Sequence, residues 1–212
     1  MSSALSIANA VGGSVNDVVL AMCGSALKEY LTELDALPDR SLIAMVPVSL
    51  RKPDGDTSNG GNLFGSILCD LRTDTADAVE RLSSISSGMN VAKERMRGLS
   101  PAEALAVSKL LMAGVAVGAI SGVTSIPRQP FNLIISNAPA SNRPLFMGSA
   151  KMTDLYPISL ITEGQAANIT VTRYDDSMNI GVVGDRRRLP HLQRMLVHLE
   201  NAVADLEKAL LT

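Results

Sequence analysis

The alternation of apolar and polar positions divides this chain into a helical first part, a mixed middle and a β-rich stretch closed by a helix. Val15, Val18, Val19, Met22, Leu27, Tyr30, Leu31 and Leu34 recur at helical spacing and predict an amphipathic helix over residues 15–34. "SLIAMVPVSL" (41–50) is a short β-rich run halted by the turn-forming "RKPDGD", and "GGNLFGSILCDLRT" (60–73) resumes as a strand. Val79, Leu82, Ile85 and Met89 share one face of a helix predicted over 76–96. Another helix is expected from Ser100-Pro101, where Ser suits the cap and Pro the first turn.

Strand candidates follow at 131–137, 151–161, 167–174 and 178–185, with Asp175, Asp176 and Ser177 at the turn of a hairpin. Within "NITVT", Ile169 and Val171 alternate with Asn168, Thr170 and Thr172, the pattern of a half-exposed strand. Leu192, Leu196, Leu199, Val203, Leu206 and Leu210 predict a closing amphipathic helix. The fold class that this order predicts is α/β (α+β): a two-layer sandwich in one domain, a mixed sheet covered by helices.

Composition narrows the function. The 212 residues carry 19 basic and 21 acidic side chains, so no polyanion-binding surface is implied and nucleic acid is excluded as a partner. Aromatics make up only 3%, leaving the core to Leu, Ile, Val, Ala and Met. Cys23 and Cys69 lie in apolar segments with no metal-ligand spacing, and they read as small hydrophobes in a reducing cytoplasm. The N-terminus lacks the basic region and long apolar run of a signal peptide. Residues 110–127 carry no charge and hold Gly114, Gly118 and Gly122 at four-residue spacing. A buried or lipid-contacting helix is expected there rather than a membrane span.

No catalytic engine can be assembled from the residues alone. His191 and His198 both fall in the predicted terminal helix, seven apart and without a carboxylate or Cys at ligand spacing, so neither a metal site nor a base is indicated. There is no GxSxG, Walker or GxGxxG sequence, and the SxxK matches at Ser25 and Ser49 lack their companion element. The "RRR" at 186–188 beside Asp185 reads as a solvated turn. The run Ser14-Val15-Asn16-Asp17 has a capping-box pattern, with a hydroxyl at the cap, a carboxylate three residues on and a favourable helix dipole.

An ordered set of motifs adds what single residues do not. "VNDVVLA", "MVPVSLR", "GGNLFGS", "NLIISNAP", "LYPIS", "EGQAANITVTRYDD" and "NIGVVGDRR" together resemble the C-terminal half of bacterial wax ester synthase/diacylglycerol acyltransferases, from about Ala8 to the chain end. The resemblance implies one half of a chloramphenicol-acetyltransferase-like fold. It also implies a missing N-terminal domain bearing HHxxxDG, a motif that neither histidine here satisfies. In the complete enzyme, a histidine takes the proton of a diacylglycerol or fatty-alcohol hydroxyl, which then attacks an acyl-CoA thioester. Acyl-CoA is a substrate and no cofactor is required.

This half then supplies one wall of an interdomain substrate tunnel, and peripheral contact with the inner membrane or a lipid droplet surface is expected. The resemblance makes Asn16 and Asp17 supporting residues whose structural role is preferred over direct chemistry. Ser136 and Asn137 become candidate substrate contacts, followed by Ser49, Arg51 and Asn62. "ISNAPAS" departs from the family's SNVPGP, with Ala138 for Val and Ala140 for Gly, so the loop after Asn137 is expected to be arranged differently. The alternatives are a non-catalytic acyl-chain-binding or scaffold module of the same half-fold, and half of a peptide-synthetase condensation domain.

Overall fold

The computed structural model describes residues 1–49, 64–100, 102–111, 130–161 and 164–212. Five strands form one mixed sheet: β1 (Ile43–Ser49), β2 (Phe64–Asp70), β3 (Leu133–Asn137), β6 (Ala167–Tyr174) and β7 (Ser177–Gly184). Their order is β2-β1-β3-β6-β7. The central strands β1, β3 and β6 run parallel, and β2 and β7 flank them antiparallel. A two-residue hairpin, β4 (Phe146–Met147) with β5 (Ala150–Lys151), stands apart and turns through Gly148 at φ +61°.

Strand alternation sends every second side chain to one face. Ala44, Val46, Ile67, Cys69, Leu133, Ile135, Ile169 and Val171 enter a single apolar core with helices α1 (Ser2–Ala10), α2 (Val15–Glu33), α3 (Ala78–Arg97) and α5 (Arg194–Leu210). These helices form the second layer, so the two-layer architecture expected from the residue pattern is the one observed. A short helical stretch, α4, covers residues 102–111; ahead of it, the Ser100 hydroxyl accepts from the Glu103 amide at 3.3 Å while the Glu103 carboxylate accepts from the Ser100 amide at 2.8 Å. Most of the uncharged 110–127 run lies outside the described residues. No single described helix is long and apolar enough to cross a membrane.

Several elements differ from the sequence expectation, each for a physical reason. Residues 2–10 form a helix because Ala4, Ile7 and Ala8 bury against α2 and α5. Residues 152–161 are extended but join no ladder. In α5 the buried set is Met195, Leu199, Ala202 and Leu206, while Leu196 remains 49% exposed. His191 precedes α5, in a left-handed turn at φ +57°, rather than lying within the helix. His198 is largely covered and sits with Nε2 3.3 Å from Glu33 Oε1.

That contact belongs to a clasp between the end of α2 and the start of α5. Arg194 grips both Glu33 oxygens, at 2.7 and 2.6 Å, and Tyr30 donates to the Pro190 carbonyl at 2.6 Å. The Arg194 hydrogen bonds, with His198 adding to them, hold the Glu33 carboxyl down at about 2 from its ordinary 4.5. A carboxyl depressed on folding adds stability that is complete above its unfolded value and disappears as pH falls through the folded one. The melting temperature is therefore expected to carry a Glu33 component lost between pH 4.5 and 2. Thermal melts of Glu33→Gln should lack that component. An acid limb unchanged by the substitution would show that the clasp is not coupled to folding.

Candidate functional site

The α2 N-terminus is built by Ser14 and Asp17. The Ser14 amide donates to Asp17 Oδ2 at 2.8 Å, and the Asp17 amide donates to Ser14 Oγ at 3.3 Å, a complete capping box. Asp17 is only 1% exposed, far more buried than a cap requires. Its Oδ2 also accepts from Ser86 Oγ of α3 at 3.3 Å, and Lys93 Nζ lies 3.5 Å from Oδ1. The carboxylate thus locks α2 to α3 as well as closing its own helix. Asn16, beside it, is half-buried. Burial pushes the nearby Cys69 thiol up to about 12, with Asp70 and Asp17 adding to the effect, so it is no nucleophile at neutral pH.

Ser136 belongs to the other side of the sheet. Its neighbour Ile135 points into the helix-side core, so Ser136 points away from it. Asn137 has the parity of Ile135, is exposed, and diverges from Ser136 by the same alternation. The two adjacent substrate candidates therefore leave the strand on opposite faces. Ser49, the last residue of β1, alternates with Val48 of the core cluster and shares the Ser136 face. Both serines lie toward the C-terminal ends of the parallel strands β1 and β3. Arg51 and Asn62 lie outside the described residues.

The face carrying Ser136 is polar yet covered. Asn168, Thr170 and Thr172 are buried, so β6 is enclosed on both sides and is not the half-exposed strand its alternation suggests. The cover is the extended segment 152–161. Asn168 Nδ2 donates to the Leu160 carbonyl at 3.2 Å and Asn179 Nδ2 to the Leu155 carbonyl at 3.0 Å. Ser159 Oγ and Thr170 Oγ1 stand 2.5 Å apart, and Ser136 Oγ reaches the same Thr170 oxygen at 3.0 Å. Tyr174 donates to the Met152 carbonyl at 2.7 Å. Side-chain amides and hydroxyls thus satisfy backbone groups that a strand would pair with a ladder. This is why a β-like sequence forms no strand here.

Sequence reasoning missed Thr170, Ser159, Asn168 and Asn179 because their partners are remote in the chain. The available signal was the polar residue at every second position of "NITVT". On the outer side of the strap, Tyr156, Ile158 and Leu160 are 64%, 88% and 82% exposed, and Leu145, Phe146 and Met147 of the neighbouring hairpin region are exposed as well. Among the described residues, no group of three His, Cys, Asp or Glu assembles as a metal site.

Gly181 decides how closely the strap sits. A Cβ at this position would lie 1.8 Å from the Pro157 carbonyl oxygen, a backbone atom that cannot swing aside. Gly181→Ala is expected to lift residues 152–161 and break the Asn168 and Ser159 links, at about 1 kcal/mol per hydrogen bond. Hydrogen exchange should then accelerate over the strap while α2 and α3 stay protected. Acceleration spread evenly over both layers would contradict this account.

The comparisons with known proteins agree with this architecture. The family model for the WS/DGAT C-terminal domain matches residues 60–207. A putative diacylglycerol O-acyltransferase of Mycobacterium tuberculosis is 49% identical over 203 residues, covering 96% of this chain and 45% of the relative. The O-acyltransferase WSD of Acinetobacter baylyi is 39% identical, covering 93% of this chain and 42% of the relative. The solved wax ester synthase/diacylglycerol acyltransferase of Marinobacter aquaeolei VT8 superposes with a TM-score of 0.86 at 40% identity, over 100% of this chain and 47% of that one. The chain thus spans about half the length of the relatives it matches. With the family model covering most of its residues, the chain belongs to the wax ester synthase/diacylglycerol acyltransferase family, by that family's C-terminal domain.

Proposed function

We propose that this chain is the C-terminal domain of an O-acyltransferase that moves a fatty acyl group from acyl-CoA to diacylglycerol or a long-chain alcohol. The observation that carries the proposal is the match to the C-terminal domain of enzymes named for this chemistry, at about half their length. The catalytic base belongs to an N-terminal domain bearing HHxxxDG. This chain forms one wall of the tunnel between the domains, with Ser136, Asn137 and Ser49 as polar contacts for substrate. Acyl-CoA enters as substrate and no further cofactor is needed.

The exposed outer row of Tyr156, Ile158 and Leu160 supports the partition. Adjacent exposed apolar side chains mark an interaction surface, and the occupant proposed here is the N-terminal domain, since the relatives are more than twice as long as this chain.

The isolated chain is expected to be inactive, because His191 lies in an exposed turn and His198 beside Glu33, with neither followed by the Asp of the missing motif. Purified chain mixed with palmitoyl-CoA and diacylglycerol or hexadecanol should release no CoA. A longer protein that adds the N-terminal domain should release it. Turnover by the isolated chain that survives replacement of both histidines would overturn the assignment of the base to the other domain.

A further inference from the structure

The hydroxyl cluster under the strap has a direction that its partners force. A main-chain carbonyl only accepts, so the end of Asn168 that faces the Leu160 carbonyl at 3.2 Å is its NH2 group. The opposite end is then the amide oxygen, which also only accepts, and the group 3.1 Å from it is the Thr170 hydroxyl. Thr170 has one proton and donates it to Asn168. Its oxygen therefore faces Ser136 at 3.0 Å and Ser159 at 2.5 Å as an acceptor, and both serines donate to it. Rotating the Thr170 proton towards either serine would leave the amide oxygen of Asn168, a residue 5% exposed, without a donor.

Ser136 is consequently left with its proton committed inward and its lone pairs available. Resting on the proposed acyltransferase function, we propose that Ser136 meets substrate as a hydrogen-bond acceptor and takes an amide N–H of the pantetheine arm of acyl-CoA. Thr170 is the positioning residue that sets this polarity. The choice of ligand group follows by elimination among the substrates. Esters and the thioester carry no donor. The acceptor alcohol has one O–H, whose proton must go to the base for the oxygen to attack. The ribose and adenine donors stand at the far end of the coenzyme, beyond the pyrophosphate. The pantoyl hydroxyl lies beyond both amides, toward the pyrophosphate, so the donors nearest the reacting sulfur are the pantetheine amides. A hydroxyl whose proton is already given away is also unsuited to stabilise the tetrahedral oxyanion, which requires a donor.

The test uses a longer enzyme that contains this chain and its N-terminal domain. Ser136→Ala is expected to raise KM for palmitoyl-CoA about tenfold, the value of one good hydrogen bond, with less than a twofold change in kcat and in KM for the alcohol. Thr170→Val should reproduce part of that rise, and Thr170→Ser, which keeps the hydroxyl, should leave KM near the wild-type value. A second arm needs no mutant. Palmitoyl-CoA in which the pantetheine amide nearest sulfur is replaced by an ester should bind wild type about tenfold more weakly and should not discriminate Ser136→Ala from wild type. Three results would overturn the inference alone: a hundredfold loss of kcat at unchanged KM in Ser136→Ala, an effect confined to KM for the alcohol, or an ester analogue that binds as tightly as the amide. A wild-type enzyme that never turns over acyl-CoA would overturn the underlying function and this inference with it.

Discussion

Replacing Arg81 with methionine is expected to destabilise the domain by about 2–5 kcal/mol, the largest single effect foreseen in the described residues. Arg81 is a charged side chain only 2% exposed. Its Nε donates to the Arg72 carbonyl and its Nη1 to Ser25 Oγ, each at 3.1 Å, and its Nη2 donates to the Thr75 carbonyl. Lys28 Nζ adds a second donor to Thr75, at 3.0 Å. The guanidinium thus organises the connection from β2 to α3, in which Arg72 adopts a left-handed φ of +51°. Such a conformation costs about 1–2 kcal/mol in a residue other than glycine and persists only where its surroundings hold it.

The same connection presses on α2. A Cβ on Gly24 would stand 2.3 Å from the Leu71 carbonyl oxygen, so helix and loop touch backbone to backbone. Burial lowers the Arg81 pKa, with Glu29, Asp77 and Asp74 opposing that shift. Methionine would fill similar space and remove the cost of burying a charge. It would take the guanidinium from the Ser25 hydroxyl, at about 1–3 kcal/mol, and would reduce the Arg72 and Thr75 carbonyls to one donor each, the Thr75 amide and Lys28. The balance favours a net loss, seen as a fall in melting temperature of roughly 2–4 °C per kcal/mol for a domain this size. Arg81→Lys, which keeps the charge without the fork of donors, should recover only part of it. A methionine variant as stable as the parent would mean that relief of desolvation dominates and that the loop holds its shape unaided.

The second large effect is expected at Asp17. From the chain alone, Asp17 reads as an ordinary cap, worth about 0.5–2 kcal/mol. In the structure it is buried, closes the capping box, accepts from Ser86 and pairs with Lys93, and Asp17→Ala is accordingly expected to cost about 2–4 kcal/mol. Asp17→Asn should cost less, because the amide oxygen can take the place of Oδ2 while its NH2 faces Lys93, which is 27% exposed and can withdraw toward solvent. In a longer enzyme with its N-terminal domain, activity of both variants should follow folded fraction. Loss of turnover in Asp17→Asn at an unchanged melting temperature would move Asp17 from support to chemistry.

How legible was this protein in its sequence? The helix start at Ser14, the strands around Met45, Ile135 and Val171, and the closing helix were readable because their signals are local. A cap needs residues three apart, and a buried face needs one repeating period. The family was readable from the order of several short motifs, a linear property. Residues that act through remote partners were not readable. His198 has no carboxylate at a telling spacing in the chain, and only the fold brings Glu33 of α2 against it; Arg81 was one charge among many on a helix.

What the sequence by itself determined is the succession of elements, the helix-side core and membership of the family, since each follows from spacing along the chain. Only the tertiary structure decided which face each polar residue occupies and what covers it. Ser136 and Asn137 are neighbours in sequence, but the pleat sends them to opposite sides of the sheet. The strap over Asn168, Thr170 and Thr172 turned an apparently half-exposed strand into a buried one. Its hydrogen bonds join residues 8 to 24 positions apart, a separation at which no local pattern carries information. Direction within the hydroxyl cluster follows from where one backbone carbonyl sits, and that position exists only once the chain has folded.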